Sequence, residues 1–185
     1  MSSTPEILSD LPVKICDRIK GILPGLRTCE PHAGKFSLEE LKKNAIPTPA
    51  VLVSTLGGKQ GKGHGGPGSW TFDLSMAAFV VTRGSLGKQR DVYAANICQV
   101  LLQLVPDQRW GEPAAGEAKN VVMQPLISTN SRDYAASLWS VTWTQPVTFY
   151  ARPQSALGVE LYVSQAPAVG ADHEADYQLV EGTDQ

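Results

Sequence analysis

The sequence predicts an α+β fold: a largely antiparallel sheet with two main helices packed on one face, a long Gly-rich hairpin loop and an extended C-terminal arm. Three observations carry that expectation. Residues Trp70 to Val81 alternate, with Trp70, Phe72, Leu74, Met76, Ala78 and Val80 on one face, while Phe79 and Val81 make the far end apolar on both sides. Residues 5–23 and 88–105 instead space their apolar side chains as helices do. Between two strand-like runs lies Gly57–Gly68, too dense in glycine to hold one conformation without a partner. It reads as a hairpin tip built for contact, not as a catalytic pocket.

The elements follow in order. The first helix, 5–23, is capped by Ser3 or Thr4, and Ile7, Leu8, Leu11, Ile15, Ile19 and Ile22 form a narrow apolar stripe. Pro12 argues against one unbroken rod, and Pro24-Gly25 ends the helix. A short strand, Leu26 to Glu30, is expected next. Ser37 to Lys43 then reads as a brief helix, with Ser37 and Glu40 as a capping box. Pro47 and Pro49 bring the chain extended into a strand at Ala50–Leu56.

Beyond the Trp70–Thr82 strand, residues 83–87 turn the chain into the second helix, which Pro106 closes. Residues 107–119 are a loop. Val121 to Ile127 is a strand whose Pro125 implies an edge or a bulge. The last long strand, Tyr134 to Phe149, places Trp139, Val141, Trp143, Val147 and Phe149 on one face; Pro146 again signals a bulge or an edge. Val159–Val163 allows one more strand, and 164–185 is expected to be disordered when free. The organisation is thus an α+β domain over 1–150 and an acidic arm over 151–185.

Charge is unevenly shared. Residues 1–152 hold all 16 Lys and Arg against 12 acids, whereas 153–185 hold no base and six acids, Glu160, Asp172, Glu174, Asp176, Glu181 and Asp184. The tail reads as a solvated acidic segment or as an arm that docks on a basic face of a neighbour. No apolar run reaches the length of a membrane span, and the N-terminus lacks the basic start and apolar stretch of a signal peptide, so a cytoplasmic site of synthesis is expected. Cys16, Cys29 and Cys98 lack metal-ligand spacing, and free buried thiols are expected over a disulfide.

Catalytic signatures are missing from the sequence. Gly61-Lys62-Gly63-His64-Gly65-Gly66 matches a dinucleotide fingerprint in letters, but a strand follows where the mechanism needs a helix N-terminus. His32, His64 and His173 are scattered, and Asp73 and Asp91 read as solvated or capping carboxylates. No enzyme, metal or cofactor is expected. The partner-binding candidates are Lys59, Lys62 and His64 at the hairpin tip, Arg83, Lys88 and Arg90 around the start of the second helix, and Leu161, Tyr162 and Tyr177 in the arm. Positive side chains oppose the helix dipole at that start, and Asp91 is the nearest acid to compensate them.

Ile15-Cys16-Asp17-Arg18-Ile19-Lys20-Gly21-Ile22-Leu23-Pro24-Gly25-Leu26, then Pro49-Ala50-Val51-Leu52-Val53, the alternating Trp70–Val81 strand, the Asp91–Leu104 helix and the Trp139–Val147 strand occur in a recurring order. In that pattern and order, over about residues 5–150, the chain resembles the tail-terminator-like proteins of Mu-like contractile-tailed bacteriophages and prophages. The Gly-rich insertion and the arm depart from the family's compact pattern. The resemblance implies a structural protein of the virion that forms a hexameric ring, capping the tail tube and meeting the sheath and the neck of the head. DNA would pass through its lumen, and no membrane would be involved. A head-completion or neck adaptor protein is the alternative within the same architecture. A nucleic-acid-binding module using Lys59 and Lys62 is the alternative of another class, against which stand the missing basic stripe and the acidic tail.

Overall fold

The computed structural model describes residues 6–36, 46–61, 68–84, 87–128 and 136–150, with short pieces at 162–163, 172, 175 and 178–179. The chain divides into two units, Met1–Tyr150 and Ala151–Gln185.

Helix α1 (Ile7–Ile22) buries Ile7, Leu11, Pro12, Ile15, Cys16 and Ile19, a spacing that keeps one face on the sheet. Leu8 and Ile22, which the sequence places on the same stripe, are instead about half exposed. Pro12 does not divide the helix. A proline in a helix removes one hydrogen bond, here the one to the carbonyl of Leu8, and burial of its ring offsets part of that loss. The N-cap is Glu6, which makes no side-chain cap, while the Ser9 hydroxyl donates to the Glu6 carbonyl at 2.8 Å. Ser3 and Thr4 lie outside the described residues. The helix stops at Leu23, whose N–H closes on Ile19, and Leu26 N–H turns back on Leu23 just past Pro24-Gly25.

The main sheet has five strands in the order β1-β2-β3-β5-β4. They are β1 (Thr28–Ala33), β2 (Ala50–Gln60), β3 (Ser69–Arg83), β4 (Lys119–Ser128) and β5 (Ala136–Tyr150). Only β1 and β2 run parallel; the other pairs are antiparallel. Strand β1 starts and ends later than the Leu26–Glu30 expected. Arg27 and Thr28 donate their amides to the Pro49 carbonyl, which fixes where β1 meets β2. The brief helix expected at 37–43 lies outside the described residues.

Strand β2 corrects the sequence reading of the glycines. Gly57–Gln60 is not loop but strand, paired with Phe72–Ser75 past a register shift between Thr55 and Gly57. Gly58 faces Leu74 so closely that a Cβ there would stand 2.8 Å from Leu74 Cδ2. A side-chain-free residue is thus what lets the two strands stay together. The remainder of the glycine stretch, 62–67, lies outside the described residues.

Helix α2 (Gly87–Leu104) and α1 pack on the same face of the sheet. That face holds Met76, Ala78 and Val80 of β3 and Val141, Trp143 and Val147 of β5, against Ile15 and Ile19 of α1 and Ala94, Ile97 and Leu101 of α2. Each valine, leucine, isoleucine or methionine among them contributes about 1.5–3 kcal/mol of transfer free energy. The reverse face has a second, smaller core of Leu52, Ala77, Phe79, Val81 and Leu138, covered by Phe36, whose ring centroid is 6.0 Å from that of Phe79. The doubly apolar end of β3 has its reason there.

The two prolines of the antiparallel strands, Pro125 and Pro146, sit where no ladder bond is missed. Pro125 lies in the edge strand β4, with a register shift between Pro125 and Ile127. Pro146 lies past the point where β4 stops pairing with β5, at Lys119–Thr144. There the 114–116 segment takes over: Gly116 N–H donates to the Pro146 carbonyl and Thr148 N–H to the Ala114 carbonyl, both 2.8 Å. A residue's N and O point to the same side of an antiparallel strand. The nitrogen of Pro146 therefore faces this loop and not β3.

In the second unit, β6 (Tyr162–Val163) pairs antiparallel with β7 (Gln178–Leu179). The latter falls in the stretch 164–185 expected to be disordered when free, of which residues 172, 175, 178 and 179 are described.

Candidate interaction surface

The strongest surface feature is one that the sequence reading did not name. Among the described residues strand β4 pairs with β5 on one side only, and it exposes apolar side chains on both faces: Val122 (53%), Met123 and Leu126. An edge strand of this kind presents unpaired backbone groups together with sticky side chains, the combination that recruits another strand. At the opposite border, among the described residues, β1 pairs only with β2. The signal was in the sequence. Val121 to Ile127 does not alternate and contains a proline, so it fits neither a half-buried strand nor a central one.

A second exposed region lies at the far end of the β2–β3 hairpin. Trp70 stands 45% exposed opposite Phe149, and Phe149 meets Phe72 edge to face at 5.7 Å. Tyr150, on the other face of the sheet, is 72% exposed. Lys59 is exposed here and lies opposite Asp73, so its charge has a cross-strand counterpart of opposite sign.

The basic group around the start of α2 separates. Arg83 is exposed at the end of β3. Arg90 is not a surface residue, which corrects its reading as a partner contact. Its side chain is 3% exposed, Nη1 donates to the Gly84 carbonyl at 3.3 Å, and Nε lies 3.9 Å from Asp91 Oδ1. Thr82 Oγ1 donates to the Arg90 carbonyl at 3.0 Å, so the first turn of α2 is fastened to the end of β3. Asp91 thus compensates Arg90. Lys62, His64, Leu161 and Tyr177 lie outside the described residues, as do the side chains of Lys88 and Tyr162.

Between α1 and the 105–118 loop lies an open depression of about 630 Å³, lined by Lys14, Asp17, Arg18, Gln108, Trp110 and Gly111. Its charges balance internally. Lys14 Nζ donates to Glu112 Oε2 at 2.6 Å, and this bond holds the Glu112 carboxyl below the usual carboxylate range. Beneath it, Gln145 is fully buried and satisfies four groups. Its Oε1 accepts from Trp110 Nε1 at 2.8 Å and Trp143 Nε1 at 3.1 Å, while Nε2 donates to the carbonyls of Gln108 and Gly116. One amide therefore ties the loop to β5, and a single inward polar letter in an apolar strand was its only sequence trace. Among the described residues, no group of three or more His, Cys, Asp or Glu is placed to hold a metal ion. No described helix is long and apolar enough to cross a membrane.

Set beside known proteins, the chain matches no family model and no curated protein.

Proposed function

We propose that the chain is a structural virion protein, a tail terminator whose copies form a ring that caps the tail tube and sheath and joins them to the neck. The observation that carries this reading is the pair of unlike sheet borders, β1 on one side and the apolar, one-sidedly paired β4 on the other. Two different borders on one subunit favour head-to-tail association. Such contacts close into rings when the rotation per copy divides a full turn. The order of motifs shared with Mu-like tail terminators supplies the particle, the tube and the neck as partners. Pro31 in β1 and Pro125 in β4 each remove one donor, which shortens the stretch over which a strand can be added.

Electron microscopy of the purified protein, alone and with tail tubes, tests the reading. Rings seated on tube ends are expected. Replacing Val122 and Leu126 together by lysine should abolish the rings and leave the subunit folded, since both side chains are exposed. Deletion of the gene from a phage that carries it should give tails of abnormal length. Tails of normal length that fail to join heads would instead identify a neck adaptor. A monomer that ignores tube ends would end both readings.

A further inference from the structure

Two of the three cysteines face each other across the junction of α1 and β1. Cys16, in the third turn of α1, and Cys29, the second residue of β1, are 1% and 4% exposed within the same core. The Cys29 thiol donates to the Cys16 carbonyl, Sγ to O 3.6 Å, which places the Cys29 sulfur beside Cys16. Cys98 is buried in α2, where burial alone acts on its thiol. We propose that Cys16 and Cys29 are an oxidisable dithiol, which a peroxide closes into a disulfide tying α1 to the edge strand β1.

The chemistry follows from the contact. The two thiols titrate as a unit. The hydrogen bond from Cys16 pulls the Cys29 thiol down, against the effect of burial, while that bond and burial push Cys16 up. Burial alone pushes Cys98 up to about 12, which leaves it the less reactive thiol. Cys29 therefore loses its proton first, and its thiolate attacks one oxygen of hydrogen peroxide. The O–O bond breaks, hydroxide leaves, and Cys29 becomes a sulfenic acid. Cys16 gives its proton to that hydroxide and attacks the Cys29 sulfur; the S–O bond breaks and a second hydroxide leaves, taking up the proton that Cys29 released. Two thiols and one peroxide thus give one disulfide and two waters. The Cys29 sulfur starts 3.6 Å from the Cys16 carbonyl oxygen, and the bond requires the two sulfurs to close to about 2.05 Å.

The closed loop spans residues 16–29 and would pin the six-residue β1, which pairs with β2 in the sheet. This inference is independent of the proposed virion role.

The test treats the folded, reduced protein with hydrogen peroxide, blocks remaining thiols by alkylation and measures intact mass and the cross-linked peptide. The expected result is a loss of about 2 Da, two fewer alkylated thiols and a Cys16–Cys29 peptide, all reversed by a dithiol reductant. Cys98→Ser should behave like the parent chain; Cys16→Ala and Cys29→Ala should each retain no intramolecular bond. The oxidised chain should melt roughly 5–10 °C higher than the reduced one. Three alkylatable thiols after a dose that oxidises the urea-unfolded chain would overturn the proposal. So would a gain of oxygen at Cys29 without cross-linking, or a bond to Cys98. Peptide mapping of the unaltered chain decides the matter even where a variant fails to fold.

Discussion

Gln145 shows how much one side chain can hold. Its amide meets two indole N–H groups and two backbone carbonyls with no water needed. Gln145→Leu leaves all four buried groups without this partner and is expected to cost about 3 kcal/mol or more in urea unfolding. Gln145→Glu keeps an acceptor for the indoles but, ionised, offers no donor to the carbonyls. Burial raises the pKa of such a carboxyl above its unfolded value, so its deficit against the parent chain should narrow as pH falls from 7 to 4. Glu112 behaves in the opposite sense. Its folded pKa is depressed by Lys14, so its contribution is present above the unfolded carboxylate range and lost as pH falls through the lowered value. Lys14 is 41% exposed, so solvent screens the pair, and a Lys14→Met/Glu112→Gln cycle should give a coupling below about 1 kcal/mol at pH 7 that disappears in acid.

At the scale of elements, the hairpin of β2 and β3 depends on Gly58. Valine there would drive a branched side chain into Leu74, itself buried in the core, and should destabilise the chain by about 1–3 kcal/mol. Gly61→Ala is the control, because its added Cβ meets Asp73 at an ordinary 3.4 Å. This hairpin also marks the boundary of what residues alone disclose. Periodicity located both helices and β3 and β5 closely, because each buries one face over many residues. It stopped β2 at Leu56, since glycine carries no face to read and only cross-strand pairing shows that the strand continues. Arg90 is the same lesson in charge. Its letter suggests surface, but the end of β3 folds over it, and that contact is not local in sequence. The free border of β4 was half legible through Pro125; that Val122 and Leu126 remain uncovered depends on which strand ends the sheet.

Over the whole molecule, the parallel β1–β2 pair and the antiparallel remainder place unlike borders at the two sides of one sheet. Association is therefore expected to be directional, and a single β4 lysine variant in a ring should keep it from closing, so mixing with the parent protein should remove rings more steeply than the variant's share. Light scattering across a mixing series checks this. A loss steeper than linear fits a contact that every copy must complete, whereas an unchanged yield would show that β4 is not the contact.

The four tryptophans give this subunit a natural optical probe. Trp110 and Trp143 are sealed on one amide and Trp139 is partly covered, but Trp70 stands open at the hairpin end. Iodide should quench a single red-shifted component of the emission and spare the remainder. Whatever seats itself on that end of the hairpin will shield this component, so docking can be followed without attaching a dye.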